Sequence, residues 1–142
     1  HNQVLMIKEH GMTGYKLPGG HIELGEGIEE SVVRETFEET GIEAKFVSVV
    51  GMATRHPYQF GKSNLYFVCH LVAQTQEIEI QDTNEIAEAK WVDIQEFIND
   101  MSNFPFNRHM VESLVGKQGL ELTQLEGNQG PTYKPEIFFS KH

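Results

Sequence analysis

The segment from Gly20 to Ile42 constrains this chain more than any other. It reads Gly20, five residues, Glu26, seven residues, then Arg34-Glu35-Thr36-Phe37-Glu38-Glu39-Thr40-Gly41-Ile42. Gly25-Glu26-Gly27 punctuates the chain before its helical part, and Gly41 is placed as a helix stop, so a helix over 28–40 is expected. At about 100° per residue from Ile28, the residues Val32, Thr36, Val33 and Phe37 fall at about 40°, 80°, 140° and 180°, a face that can pack on a sheet. Glu39, Glu35 and Glu38 fall at about 20°, −20° and −80°, beside that face. Carboxylates so placed repel one another unless a cation sits between them. Hard oxygen ligands of this kind suit Mg²⁺, Mn²⁺ or Ca²⁺ rather than zinc. Arg34, one of only three arginines, can orient a carboxylate through a bidentate contact. On helix geometry alone the same glutamates also fit a solvated face, because 18 of the 21 acidic residues of this chain are Glu and charge runs are usually solvated.

The charge balance narrows the function further. Eleven Lys+Arg against 21 Asp+Glu leave a net charge of −10 over 142 residues, which argues against binding nucleic acid through its phosphate backbone. A phosphate ligand would therefore need something other than net charge to attract it. A single cysteine, Cys69, excludes an internal disulfide framework and a Cys-based zinc cluster. It reads as a core thiol, because no basic neighbour is evident. No apolar run reaches the ~18 residues of a membrane span and no signal-like segment opens the chain, so a soluble, cytoplasmic globular protein is expected.

Without internal repeats or low-complexity segments, the chain reads as one domain. Val4–Lys8 is expected as a strand, and Tyr15-Lys16-Leu17 as a shorter one stopped by Pro18-Gly19-Gly20. Strands are also expected over 45–54, over 64–73 (the most apolar run, read as fully buried), over 77–80 as an edge, and over 90–93 around the only Trp. Residues 94–101 and 108–117 read as helices. Interleaved strands and helices place the chain in the α/β or α+β class with a mixed sheet.

Every charged and glycine position of the Gly20–Ile42 string matches the Nudix box, and the chain resembles that family. Thr36 departs from the aliphatic residue of the box but keeps a methyl group for packing. Leu17-Pro18-Gly19-Gly20 and His21-Ile22-Glu23 also look like the family's lead-in to the box. The resemblance implies a single Nudix domain over 1–142, an α/β/α sandwich with a mixed β-sheet and a loop–helix–loop catalytic motif. It further implies hydrolysis of a nucleoside diphosphate linked to another group, with Mg²⁺ or Mn²⁺ as cofactor. By position, Glu35, Glu38 and Glu39 would be metal ligands with the Gly20 carbonyl, while Glu26 and Arg34 would brace the helix and Gly41 would end it. Divalent cations would let a protein of charge −10 bind a pyrophosphate. They would also acidify a bound water whose proton a carboxylate must take.

Family members draw that base from the helix or from a later loop. Glu85, in Thr83-Asn84-Glu85-Ile86 ahead of Trp91, is expected as a fourth ligand or as the base, with Glu39 or Glu38 next. Residues 56–63 (His-Pro-Tyr-Gln-Phe-Gly-Lys-Ser) form a recognition-type loop, and it is no P-loop, because His56 stands where a glycine is required. Lys62 and Arg55 are candidates for a phosphate, Tyr58 or Phe60 for stacking on a purine, and His21 for a second phosphate contact. This loop, the strand after it and Glu88-Ala89-Lys90-Trp91 are similar to the branch of the family that cleaves ADP-ribose or NADH to AMP and a phosphorylated partner. A nucleoside triphosphate pyrophosphatase and a non-catalytic ADP-ribose sensor stay open as alternatives. The family also carries one more strand ahead of Val4–Lys8. Its absence here implies a strand omitted from the sequence, lost, or supplied by another chain, and an open edge favours a homodimer.

Overall fold

The computed structural model describes residues 2–55, 64–125 and 135–140. It divides the chain into two compact units, one of His1–Lys45 with Ala73–Val115 and one of Phe46–Val72 with Gly116–His142. The elements are β1 (Gln3–Glu9), α1 (Ile28–Thr40), β2 (Ala44–Arg55), β3 (Asn64–Ala73), β4 (Ile86–Asp93), α2 (Ile94–Asn99), α3 (Pro105–Leu114), β5 (Glu121–Leu122) and β6 (Phe138–Phe139). None of the described helices is long and apolar enough to cross a membrane.

In the first unit, β1 and β4 pair antiparallel from Gln3↔Asp93 to Lys8↔Glu88, and the register then slips so that Glu9 faces Ile86. Met6 packs with Phe97, Ile98 and Val111 of the two helices, and Val4, Tyr15, Leu17, Val92 and Ile94 close around them. Asp93 ends β4 and caps α2 by accepting from the Glu96 amide at 3.0 Å, as a short acidic side chain does at that position. The helix stops at Asn99. Buried Asn103 then fixes the turn into α3, its amide donating to the Phe97 carbonyl at 3.1 Å while its side-chain oxygen accepts from the Tyr15 amide at 2.9 Å. Pro105 opens α3 three residues earlier than the apolar pattern suggests, because a first-turn proline loses no hydrogen bond there.

Three expectations for this unit need correction. The 77–80 stretch alternates polar and apolar residues, yet it is not a strand. Its end and the following residues instead serve the last carbonyls of α1. The Glu79 amide donates to Thr40 O at 2.8 Å, and the Gln81 and Asp82 amides both donate to Glu38 O, at 3.1 and 2.9 Å. A helix end has carbonyls without intrahelical partners, and they take these donors. Residues Tyr15-Lys16-Leu17 form a single bridge rather than a strand: Ile7 and Lys16 exchange both backbone bonds at 2.9 Å, on the edge of β1 away from β4. The buried arc of α1 is also rotated. Ser31, Thr36, Glu39 and Thr40 are buried while Phe37 is 39% exposed, so the arc centres near Glu39 instead of Val33.

In the second unit, β2 pairs with β3 and β5 with β6, Val49 bridges Leu120, and the Phe46 and Phe138 rings stack tilted at 5.9 Å. The apolar run of β3 is not fully buried, for Leu65, Tyr66 and Val72 are exposed. A strand with one described neighbour is covered along one edge only, and apolar sequence does not by itself supply a second layer. Cys69 is partly buried, and burial, with the Glu136 charge second, pushes its thiol up to about 11, so it is an inert packing group.

Phe97, 1% exposed at the centre of the first core, should be its most sensitive position. Phe97→Ala is expected to cost about 3–5 kcal/mol, read as a lowered urea midpoint by far-UV circular dichroism.

Candidate active site

The acidic helix is organised by one guanidinium. Arg34 Nε and Nη2 donate to the two oxygens of Glu26 at 2.6 and 2.9 Å. This fork fixes the plane of the carboxylate and ties the loop before α1 to its middle turn. The third nitrogen, Nη1, faces three more acids: Glu38 at 3.0 Å, Glu35 at 3.1 Å and Glu23 at 3.5 Å. The loop is closed a second time, because the Glu23 amide donates to Glu26 Oε1 at 2.9 Å and the Glu26 amide to Glu23 O at 3.0 Å. Arg34 beside it holds the Glu26 carboxyl below the usual carboxylate range.

Residues Gly19 and Gly20 bring a second loop against the same helix. The Gly19 amide donates to Glu39 Oε1 at 2.9 Å. A β-carbon on Gly20 would stand 2.7 Å from the Glu35 carboxyl carbon, so glycine at that position is what lets a backbone segment lie directly on a carboxylate. Glu39 is only 2% exposed. Burial pushes its carboxyl up to about 7, with the charges of Glu35 and Glu85 adding to the rise. Burial also raises Glu35, with Arg34 opposing it.

Glu85 reaches this neighbourhood because the 79–82 segment is bonded to the end of α1. The next turn follows at once, with the Glu85 amide donating to Asp82 Oδ1 at 3.2 Å and the Ile86 amide to Asp82 O at 3.0 Å. Its carboxyl is raised by burial and then by Glu9 beside it. Gly41 ends the helix with φ 77°, and its amide donates to Phe37 O at 2.7 Å. A side chain there would run into the Glu79 carbonyl, so the same residue stops the helix and admits the segment that delivers Glu85.

The structure thus brings Gly20, Glu26, Arg34, Glu35, Glu38, Glu39 and Glu85 into one locality. Among the described residues no three His, Cys, Asp or Glu side chains are already gathered into a metal cage; Glu35 and Glu38 turn to Arg34, and Glu39 to the Gly19 amide. The donor set nonetheless fits a divalent cation. Glu23, Glu26, Glu35 and Glu38 share one guanidinium, and burial pushes up the carboxyls of Glu35 and of Glu39 beside it. All the donors are hard oxygens.

His21 is exposed on the loop after Gly20. Arg55 belongs to the second unit, 5.6 Å from the centre of the Tyr66 ring. Tyr58, Phe60 and Lys62 lie outside the described residues. A cavity of about 480 Å³ lies between residues 11–15 and 101–105, and none of the expected site residues lines it. The sequence reading missed Glu9, Lys16 and Asp82. The one signal for them was the place of Lys16 just ahead of Leu17-Pro18-Gly19-Gly20.

The NUDIX domain pattern is matched over residues 1–114. The chain belongs to the Nudix family. Among curated members of the family, Nudix hydrolase 2 of Arabidopsis thaliana is 36% identical over 125 residues, which cover 82% of this chain and 45% of that protein. Nucleoside diphosphate-linked moiety X motif 6 of Xenopus laevis is 31% identical over 149 residues, covering 97% of this chain and 66% of that protein. The chain therefore spans about half to two thirds of the length of these relatives. A MutT Nudix hydrolase from Burkholderia pseudomallei shares the fold, with a TM-score of 0.65 at 20% identity over 80% of this chain and 88% of that one. So does the Nudix domain of Shewanella oneidensis NrtR, crystallised with ADP ribose, at a TM-score of 0.63 and 17% identity over 78% and 73%. The α/β fold is thus of the Nudix type.

Raised folded-state carboxyls set the sign of a pH effect. Glu39 binds its proton more tightly when folded than the ordinary carboxyl of the unfolded chain, so its contribution to stability falls as pH rises from about 4.5 to about 7. In chelator, Glu39→Gln should remove that part of the slope. The variant should be more stable than the parent at pH 8, by at most about 3 kcal/mol, and level with it near pH 4.5. Urea midpoints at the two pH values check this.

Proposed function

We propose that this chain hydrolyses the pyrophosphate bond of a nucleoside diphosphate linked to a second group, with ADP-ribose or NADH as first candidates. The products would be AMP and the phosphorylated partner. The observation that carries the reading is the buried carboxyl of Glu39. It lies against the Gly19-Gly20 loop beside Glu35 and Glu85, on a helix where Arg34 holds Glu35 and Glu38. Buried charge left without a full counter-charge is unfavourable for a scaffold and useful at a site that gathers cations. NrtR, whose structure contains ADP ribose, and UDP-X diphosphatase, whose TM-score is 0.60, support the ligand class.

Glu35, Glu38, Glu39 and Glu85, with the Gly20 carbonyl, would hold Mg²⁺ or Mn²⁺. A divalent ion held there supplies screening of the pyrophosphate oxygens and a more acidic water. The residues of the chain do the rest. Arg34 and Glu26 keep the helix and its loop in one geometry, so that the carboxylates do not have to be ordered on binding. Glu85 or Glu39, each with a carboxyl raised above the ordinary range, takes the proton of the attacking water. The water oxygen bonds to one phosphorus, the P–O–P bridge breaks, and the bridging oxygen leaves on the other phosphate. Arg55, Tyr58, Phe60, Lys62 and His21 are the proposed contacts to the rest of the substrate.

The test is a panel of ADP-ribose, NADH and dGTP, each with Mg²⁺ and Mn²⁺, read as AMP or pyrophosphate released. AMP from the first two, abolished by EDTA and reduced on the order of 100- to 1000-fold in Glu38→Gln, is the expected result. Pyrophosphate from dGTP alone would mark a triphosphatase. Affinity for ADP-ribose without turnover would mark a sensor.

A further inference from the structure

Glu85 comes from outside the Nudix box, and the structure that carries it is built by residues the box does not include. The register of β1 against β4 passes over Ala87, so that Glu9 faces Ile86 directly after Lys8 faces Glu88. Such an irregularity re-aims neighbouring side chains and is frequent beside active sites. Here it draws His10 level with Glu85. The His10 amide donates to Glu85 O at 3.1 Å, and the His10 ring bonds the Thr83 carbonyl at 3.0 Å. It also sets Glu9 opposite Ile86, next in the chain to Glu85, whose carboxyl is raised by burial and by Glu9.

Two anions side by side push apart unless a cation is fixed next to them. Lys16 supplies it, with Nζ 2.8 Å from Glu9 Oε2 and both side chains about two-thirds covered. The base of that side chain is fixed, because the backbone of Lys16 is held to Ile7 by two bonds. Three residues further on, the Gly19 amide holds Glu39. The segment from Lys16 to Gly19 therefore connects the two candidate proton acceptors: its first side chain steadies Glu85 through Glu9, and its last amide binds Glu39.

We infer that Lys16 and Glu9 are positioning residues, an ion pair that holds the Glu85 turn and aims its carboxylate into the site. The inference rests on the reading that Glu85 serves the hydrolytic centre. A single ion pair still about one-third open to solvent contributes little to stability, so its consequence lies in where Glu85 points.

The experiment uses the full chain as Lys16→Met, Lys16→Arg, Glu85→Gln and the double variant Lys16→Met/Glu85→Gln, with thermal melts to establish that each is folded. Amide hydrogen exchange is followed in EDTA, and ADP-ribose hydrolysis with Mn²⁺. In Lys16→Met the His10 amide should exchange at least about tenfold faster while the α1 amides keep the parent rate, and kcat should fall about 10- to 100-fold with KM within about threefold. Lys16→Arg should restore both to within about threefold. The double variant should be no slower than Glu85→Gln, because the first residue acts through the second. Parent-like exchange and kcat in Lys16→Met, additive losses in the double variant, or full activity of Glu85→Gln would each overturn the inference. If the parent cleaves no pyrophosphate, the hydrolytic reading falls, while the His10 exchange rate still decides whether the ion pair holds the turn.

Discussion

The fork between Arg34 and Glu26 is the contact on which the rest of the first unit's acidic site depends. Seven carboxylates, from Glu9 to Glu85, crowd one helix and three adjoining segments. The guanidinium beside Glu26 answers four of them while staying charged at every pH of interest. A lysine could supply the charge but not the planar pair of donors that fixes the Glu26 carboxylate and, through it, the loop from Glu23 to Glu26. Without that fork, Glu26 and Glu35 would be left partly buried without compensation, a condition far more damaging than the loss of a surface pair.

Concentrating acids in this way costs stability, and the fold places the cost where it has a use. The amphipathic pattern of α1 points to a buried face made of Val32, Thr36, Val33 and Phe37, of which Thr36 is buried. The helix instead turns Glu39 inward and leaves Phe37 exposed. What makes that rotation tolerable is the satisfaction of polar groups around it, with Gly19 donating to Glu39 and Thr40 Oγ1 donating to Thr36 O. Among the described residues no buried side-chain nitrogen or oxygen lacks a hydrogen-bond partner. The remaining uncompensated quantity is negative charge itself, and a divalent ion with an anionic substrate is the natural complement to it.

Much of the first unit was legible because the features that define it are local. The bounds of α1 follow from the glycines on either side of it, and β1 follows from a short apolar run. The identity of the acidic cluster follows from a spacing long enough to be specific. Three of the errors share one cause. The 77–80 alternation, the apolar run of β3 and the apolar face of α1 were each read as periodic patterns. In the fold each was decided by what lies opposite: helix carbonyls in need of donors, a single neighbouring strand, and a glycine loop seeking a carboxylate.

The sequence alone determined the helix, its charge, the two glycines that admit a second segment, and the family to which the chain belongs, because all of these are set by residue type and by spacing along one stretch of backbone. Tertiary structure alone decided which acid is buried, that Lys16 and Glu9 stand beside Glu85, and that the segment delivering Glu85 is bonded to the end of α1. Those outcomes join residues from separate segments of the chain, such as Gly19 with Glu39, Glu38 with Asp82 and His10 with Glu85, and such pairings are fixed by strand register and by the hydrogen-bond needs of a helix end, neither of which is written in any single stretch of the chain.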